Sequence, residues 1–218
     1  MPQLFSRAAD TGFRALLLGL VLSVAAALGL LLLLPFTAHV TGQGGAPAQP
    51  VQFSHAHHAG ELGIDCRYCH TGVEHSSFAG VPPTETCMTC HSQLWTNAEM
   101  LAPVRRSLAE DTPLHWVRVH RLPNYVYFDH SIHLATGVGC STCHGPVQQM
   151  QQIRQAAPLT MGWCLACHRD PTPFLRPEAA IFDTSWTPPP DQAERGRALL
   201  AHYGIETEHL TDCSRCHR

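Results

Sequence analysis

The polarity of the chain changes sharply near its start. From Ala15 to Phe36 it reads ALLLGLVLSVAAALGLLLLLPF, 22 residues without a charge. At about 1.5 Å per residue a helix over this run spans roughly 33 Å, enough for a hydrocarbon core of about 30 Å. The run is longer than the apolar core of a cleaved signal peptide, and Pro35-Phe36-Thr37-Ala38-His39 is a poor cleavage site, so a retained anchor is expected over 15–36. Arg7 and Arg14 precede the run, and the first basic residue beyond it is Arg67. The positive-inside rule therefore keeps residues 1–14 in the cytoplasm and exports the rest. Ala15, Gly19, Ser23 and Ala27 form a small-residue stripe that suits close approach of a second helix, although such residues are common in membrane helices generally. Residues 37–52, rich in Gly, Ala, Pro and Gln, read as a flexible linker.

Beyond the linker the chain shows no long apolar run, and composition becomes the stronger guide. Net charge is −3, and all 14 basic residues are Arg, so no basic surplus points to nucleic acid. Charged residues are only 14%, which argues against a solvated disordered chain. The abnormal counts are 10 Cys and 16 His.

Every Cys lies in one of five CxxCH units: Cys66/Cys69/His70, Cys87/Cys90/His91, Cys140/Cys143/His144, Cys164/Cys167/His168 and Cys213/Cys216/His217. This is the c-type haem attachment pattern. Two thiols two residues apart reach the two vinyl groups of one porphyrin, and the next His lies beneath the iron as proximal ligand. A lone unit could be a zinc half-site or a redox dithiol. Five copies consuming every Cys in an exported chain leave those readings little room. Five covalent haems are therefore expected, at roughly 34 residues each beyond the linker. That is too little protein for a conventional core around each cofactor. Short helices around the motifs, long irregular loops and little or no sheet follow, in keeping with 17 Pro and 16 Gly.

The chain also repeats. Phe53-Ser-His55-x-x-His58 precedes the first two units, and Phe128-Asp-His130-x-x-His133 precedes the next two. Seven residues separate His58 from Cys66, and six separate His133 from Cys140. A duplicated dihaem module is expected, module 1 with its connector over 53–127 and module 2 over 128–175. A C-terminal segment, 176–218, carries the fifth unit. His55, His58, His130 and His133 hold equivalent places and are the expected distal ligands of four haems. His57 breaks the equivalence, since Ile132 replaces it in the second half, and reads as a surface or supporting His. For the fifth distal ligand His120 leads, with Met161 as an alternative whose thioether would raise the potential. His75, His115, His202 and His209 also remain open.

The FxHxxH-then-CxxCH arrangement resembles the class III multihaem cytochromes c. That resemblance implies that the first His serves the following haem and the second a different one. A more specific resemblance is carried by Gly63-Ile-Asp-Cys-Arg-Tyr-Cys-His-Thr71, Ser77-Phe-Ala-Gly-Val-Pro-Pro-Thr84, Thr86-Cys-Met-Thr-Cys-His-Ser-Gln93, Trp95-Thr-Asn-Ala-Glu-Met100, Val126-Tyr-Phe-x-His-Ser-Ile-His133 and Gly137-Val-Gly-Cys-Ser-Thr-Cys-His-Gly-Pro146. Together these are similar to the pentahaem cytochrome c subunit of alternative complex III, the bacterial quinol:electron-acceptor oxidoreductase. The likeness is dense over 53–175, looser over 210–218, and absent over 176–209. It implies an inner-membrane tether with the haems in the periplasm, and partners comprising an iron–sulfur subunit, polytopic quinone-binding subunits and a monohaem cytochrome c. A soluble cytochrome or terminal oxidase is the implied acceptor. The subunit would carry electrons and not bind quinol, because a helix without ionisable residues offers no proton relay. Rival readings are a stand-alone membrane quinol dehydrogenase feeding a periplasmic reductase, a catalytic multihaem enzyme, and an assembly scaffold. The second needs an open iron site, and spare His and Met residues suffice to close all five.

Overall fold

The structure, a computed structural model, describes residues 6–217. It divides into two units, residues 1–42 and 43–218. The first is built on helix α1 (Arg7–Leu33), which starts well before the uncharged run because Ser6 caps it, its Oγ accepting from the Ala9 amide at 3.2 Å. Asp10 and Arg14 pair across one turn at 3.0 Å. Pro35 cannot continue the hydrogen-bond ladder, so the helix tightens into a 3₁₀ turn at Leu34–Phe36. Residues Arg7–Phe36 are a candidate membrane span, with mean hydropathy 2.8 and no part of the most apolar window buried in protein. A single turn, α2 (Ala38–Thr41), follows and is closed by Gly42 in the left-handed region.

The second unit is helical and irregular, and among the described residues its only β pairing is two isolated bridges, Val126 with His217 and Val138 with Leu175. Four short helices carry the CxxC pairs and a fifth the second pair: α3 (Cys66–Cys69), α4 (Thr84–His91), α7 (Cys140–His144), α8 (Met161–Arg169) and α10 (Cys213–Cys216). Between them lie α5 (Ala102–Ala109), α6 (His130–Ala135) and α9 (Gln192–His202). Buried hydrophobic residues number ten among those described. One cluster, Val51, Leu101 and Val104, lies under α4. The other joins Val73 of module 1, Leu134 of module 2 and Ile181 of the C-terminal segment. At about 1.5–3 kcal/mol per buried aliphatic side chain, these clusters are a thin core for so long a chain.

Residues 43–49, which composition marks as a linker, lie along the 152–157 segment. The Gly44 amide donates to the Gln155 carbonyl at 2.7 Å, the Gln155 amide returns a bond to Gly45 at 3.1 Å, and the Gln152 amide side chain reaches the Ala46 and Pro47 carbonyls. Composition describes what such a stretch does alone and is silent about a neighbouring segment that pairs with it.

The one-residue difference between the two repeats has a structural place. In module 2, α6 is an ordinary helix, and the Val138 amide closes on the His133 carbonyl at 2.9 Å. In module 1, Ala56–Glu61 is a π-helix, and the equivalent closure is Ile64 on His58 at 3.0 Å, one residue longer. A π-turn absorbs a single inserted residue without shifting what flanks it. Gly63 and Gly137 then end the two turns at equivalent positive φ, 66° and 82°.

Candidate multihaem site

Within each module the FxHxxH segment builds the same object. Phe53 stacks on His58 with ring centroids 4.4 Å apart and meets His55 edge-on at 4.9 Å. Phe128 stacks on His133 at 4.4 Å and meets His130 edge-on at 4.8 Å. One aromatic ring thus orients both imidazoles. The second imidazole is locked further by its own helix. His58 Nδ1 donates to the Ser54 carbonyl at 2.9 Å, and His133 Nδ1 to the Asp129 carbonyl at 2.7 Å.

The motif histidines are held in the same way. Nδ1 of His70 donates to the Gly80 carbonyl at 2.7 Å, that of His91 to Leu94 at 3.2 Å, and that of His168 to Leu210 at 2.8 Å. His130 Nδ1 donates to the Ser77 carbonyl at 2.8 Å. A carbonyl can only accept, so the proton sits on Nδ1 and the lone pair on Nε2, the tautomer a metal requires. Burial favours the neutral ring as well. His144 is pushed down to about 3 by burial and by His120 and His130. His55 falls to about 4 through burial, with His70 and His58 adding to it. Burial also lowers His133 and His120.

Pairing across the segments is what sequence spacing alone leaves open. His58 faces His91 at 6.2 Å between ring centroids, His133 faces His168 at 6.2 Å, and His130 lies 6.3 Å from His144 at 14° between planes. Two metal–nitrogen bonds of about 2 Å and two nitrogen-to-centroid distances of about 1 Å place trans imidazoles roughly 6 Å apart. All three separations fit an iron held between the two rings. His55 is close enough to His70 for their charges to repel. The thiols are presented in pairs on single helical turns. Among the described residues no three His, Cys, Asp or Glu side chains converge as a bare ion would need.

Other residues singled out from the sequence fall elsewhere. His120, expected as the fifth distal ligand, is placed at the third motif: its Nε2 lies 3.2 Å from Nδ1 of His144, with ring centroids 4.2 Å apart. It takes the position that a backbone carbonyl occupies at the first, second and fourth motifs. His217 makes its ring contact with Tyr125, stacked at 5.8 Å. Met161 is exposed at the head of α8. His57 pairs with Glu61 at 2.7 Å on the surface, His209 with Asp212 at 3.1 Å, and His202 packs on Tyr203.

Two sets of residues escaped sequence reasoning. Phe53 and Phe128 were visible as motif letters without a role, and their stacking explains their recurrence. Arg176 gave no signal. It is buried, and its guanidinium donates to Ser141 Oγ at 2.8 Å and Thr142 Oγ1 at 3.2 Å, the two central residues of the third CxxC, and to the Asp183 carbonyl at 3.0 Å.

These features define a cytochrome c7-like multihaem fold, helical and without a sheet among the described residues, preceded by one apolar helix. Residues 126–218 match the family of cytochrome c7 and related cytochromes c. That match takes in the third, fourth and fifth motifs. The motif cysteines fit covalent c-type haem attachment. Over 170 residues the chain is 28% identical to the menaquinone reductase multihaem cytochrome c subunit of Nitratidesulfovibrio vulgaris (strain Hildenborough), covering 78% of this chain and 67% of that protein.

Proposed function

We propose that this chain is a pentahaem cytochrome c held by a single N-in helix, with its haem domain in the periplasm, and that it conducts electrons within a quinol-oxidising respiratory complex of the alternative complex III type. The observation that carries this reading is the set of three imidazole pairs at 6.2–6.3 Å, each uniting a motif His with an FxHxxH His. The ligand sets would be His70 with His55, His91 with His58, His144 with His130, and His168 with His133. For His217 we assign Met161, which heads α8, the helix whose His168 donates to the Leu210 carbonyl just before the fifth motif. Bound haem iron supplies one-electron chemistry, each transfer reducing one iron as it oxidises its neighbour. The chain's own residues would anchor the porphyrins through ten cysteines, orient the imidazoles, and hold the proton on Nδ1 of His58, His70, His91, His130, His133 and His168.

Two further observations support a quinol-linked role. The relative named as a menaquinone reductase subunit aligns over most of the chain. The uncharged part of α1, from Ala15, has no ionisable residue to relay the protons that quinol oxidation releases, so the quinol site belongs to a partner. An iron–sulfur subunit and polytopic quinone-binding subunits would deliver electrons, and a monohaem or soluble cytochrome or a terminal oxidase would accept them. The test is intact mass and quinol reduction on the purified chain and on the complex that co-purifies with it. Five haem additions, with rapid reduction by a menaquinol analogue only in the complex, are expected. Rapid reduction of the isolated chain would favour a stand-alone quinol dehydrogenase instead, and bare cysteines would end the reading altogether.

A further inference from the structure

The two modules meet through equivalent residues. The Ala56 amide, one residue past the first His of its FxHxxH, donates to the Met150 carbonyl at 3.0 Å. The Ser131 amide, one residue past the first His of the other, donates to the Ser76 carbonyl at 3.3 Å. Ser76 and Met150 each lie six residues beyond the His of their module's first motif. Cys140, the first cysteine of the third motif, packs against the cluster that joins Val73 of module 1 to Leu134 of module 2. Residue i touching j while j′ touches i′ is the signature of isologous pairing, here within one chain. The first motifs of the two modules are therefore back to back at a local two-fold axis.

Everything else is arranged outward from that axis. In module 1, Tyr68 of the first CxxC bonds Thr89 of the second CxxC through their hydroxyls at 2.8 Å. In module 2, Phe128 touches both His130, which lies against His144 of the third motif, and His133, which lies against His168 of the fourth. The fifth motif has no counterpart in module 1 and docks on the fourth, where the Leu210 carbonyl accepts from His168 Nδ1. Of the ten cysteines, Cys90 of motif 2 and Cys213 of motif 5 are the exposed ones, and the other eight are partly buried.

We propose that the haem sites stand in single file in the order 2–1–3–4–5, so that motifs 2 and 5 are the two ends through which electrons enter and leave. This rests on the five-haem reading above. Path order departs from chain order because duplication placed the first motif of each half at the pairing interface. One electron moving from one site to the next oxidises the first and reduces the second, and no bond or proton changes. A donor of the iron–sulfur class at one end and an acceptor cytochrome or oxidase at the other complete the balance.

The test is nuclear Overhauser spectroscopy of the full-length, haem-loaded protein in detergent, fully reduced so that low-spin iron is diamagnetic, with intact mass taken on the same sample. Cross-peaks between porphyrin substituents are expected for haem pairs 1–2, 1–3, 3–4 and 4–5. A direct contact of haem 2 with haem 3, 4 or 5, or no contact between haems 1 and 3, overturns the order while five added haem masses leave the functional reading standing. A mass short of five haems overturns both.

Discussion

Arg176→Ala separates structural support from accident at the third motif. The side chain is 3% exposed and makes three hydrogen bonds, to Ser141, Thr142 and the Asp183 carbonyl. It also lies over the Trp186 ring at 4.5 Å. Gly139 makes room for it, since a Cβ there would stand 2.5 Å from the guanidinium. Hydrogen bonds to a charged group contribute about 1.5–3 kcal/mol each, but burying the guanidinium costs several kcal/mol, and Nε finds no partner. Removing the guanidinium leaves two hydroxyls and a carbonyl without their donor and, set against the desolvation that it relieves, costs a net of about 3 kcal/mol. For a chain of this size that lowers the melting temperature by roughly 6–12 °C. Circular dichroism melting of the haem-loaded protein reads it directly. Arg176→Met, which keeps the stem over Trp186, is expected to lose less. The cation beside motif 3 also disfavours the oxidised, more positive iron, so both variants should lower that haem's reduction potential. An Ala variant that melts within about 2 °C of the parent would refute the assignment of Arg176 as the clamp on this motif.

Other outcomes follow from the same geometry. His130→Ala should convert one haem to high-spin without loss of covalent mass, and a spectrum that stays wholly low-spin would remove His130 from the ligand set. His120→Ala should leave every haem low-spin while shifting the potential of the motif 3 haem, because it takes away the partner of His144 Nδ1; a high-spin signal would make His120 a ligand after all. Gly60→Ala drives a methyl into the Gln148 carbonyl, which cannot move freely, and should destabilise the junction between modules measurably in a thermal melt. Asp65 caps α3, and its Arg67 partner holds its carboxyl down to about 2 from an ordinary 3.8. Its contribution is therefore present above about pH 4 and lost as pH falls towards 2, and Asp65→Asn should flatten that part of an acid-stability profile.

Local chemistry was legible from the residues themselves. CxxCH is a contiguous pattern whose spacing is set by porphyrin geometry, so the attachment sites could be read without a fold. The apolar run before Phe36 was equally plain, because hydrocarbon thickness sets its length. The equivalence of His55 with His130 and of His58 with His133 came from the repeat. Which ring each of them faces did not, because those separations run from 14 to 35 residues and depend on how two modules dock. His120 shows the limit most clearly: its residue type permits ligation, and only packing places it on Nδ1 of His144. Residues 176–209 were silent because their work is done by one buried guanidinium, by carbonyls and by α9, whose Gly196 rests on the Thr172 carbonyl. Covalent geometry travels along the chain and can be read there, whereas the pairing of imidazoles and the bonds of Ala56 to Met150 and of Ser131 to Ser76 are non-local contacts that exist only once the backbone has closed on itself.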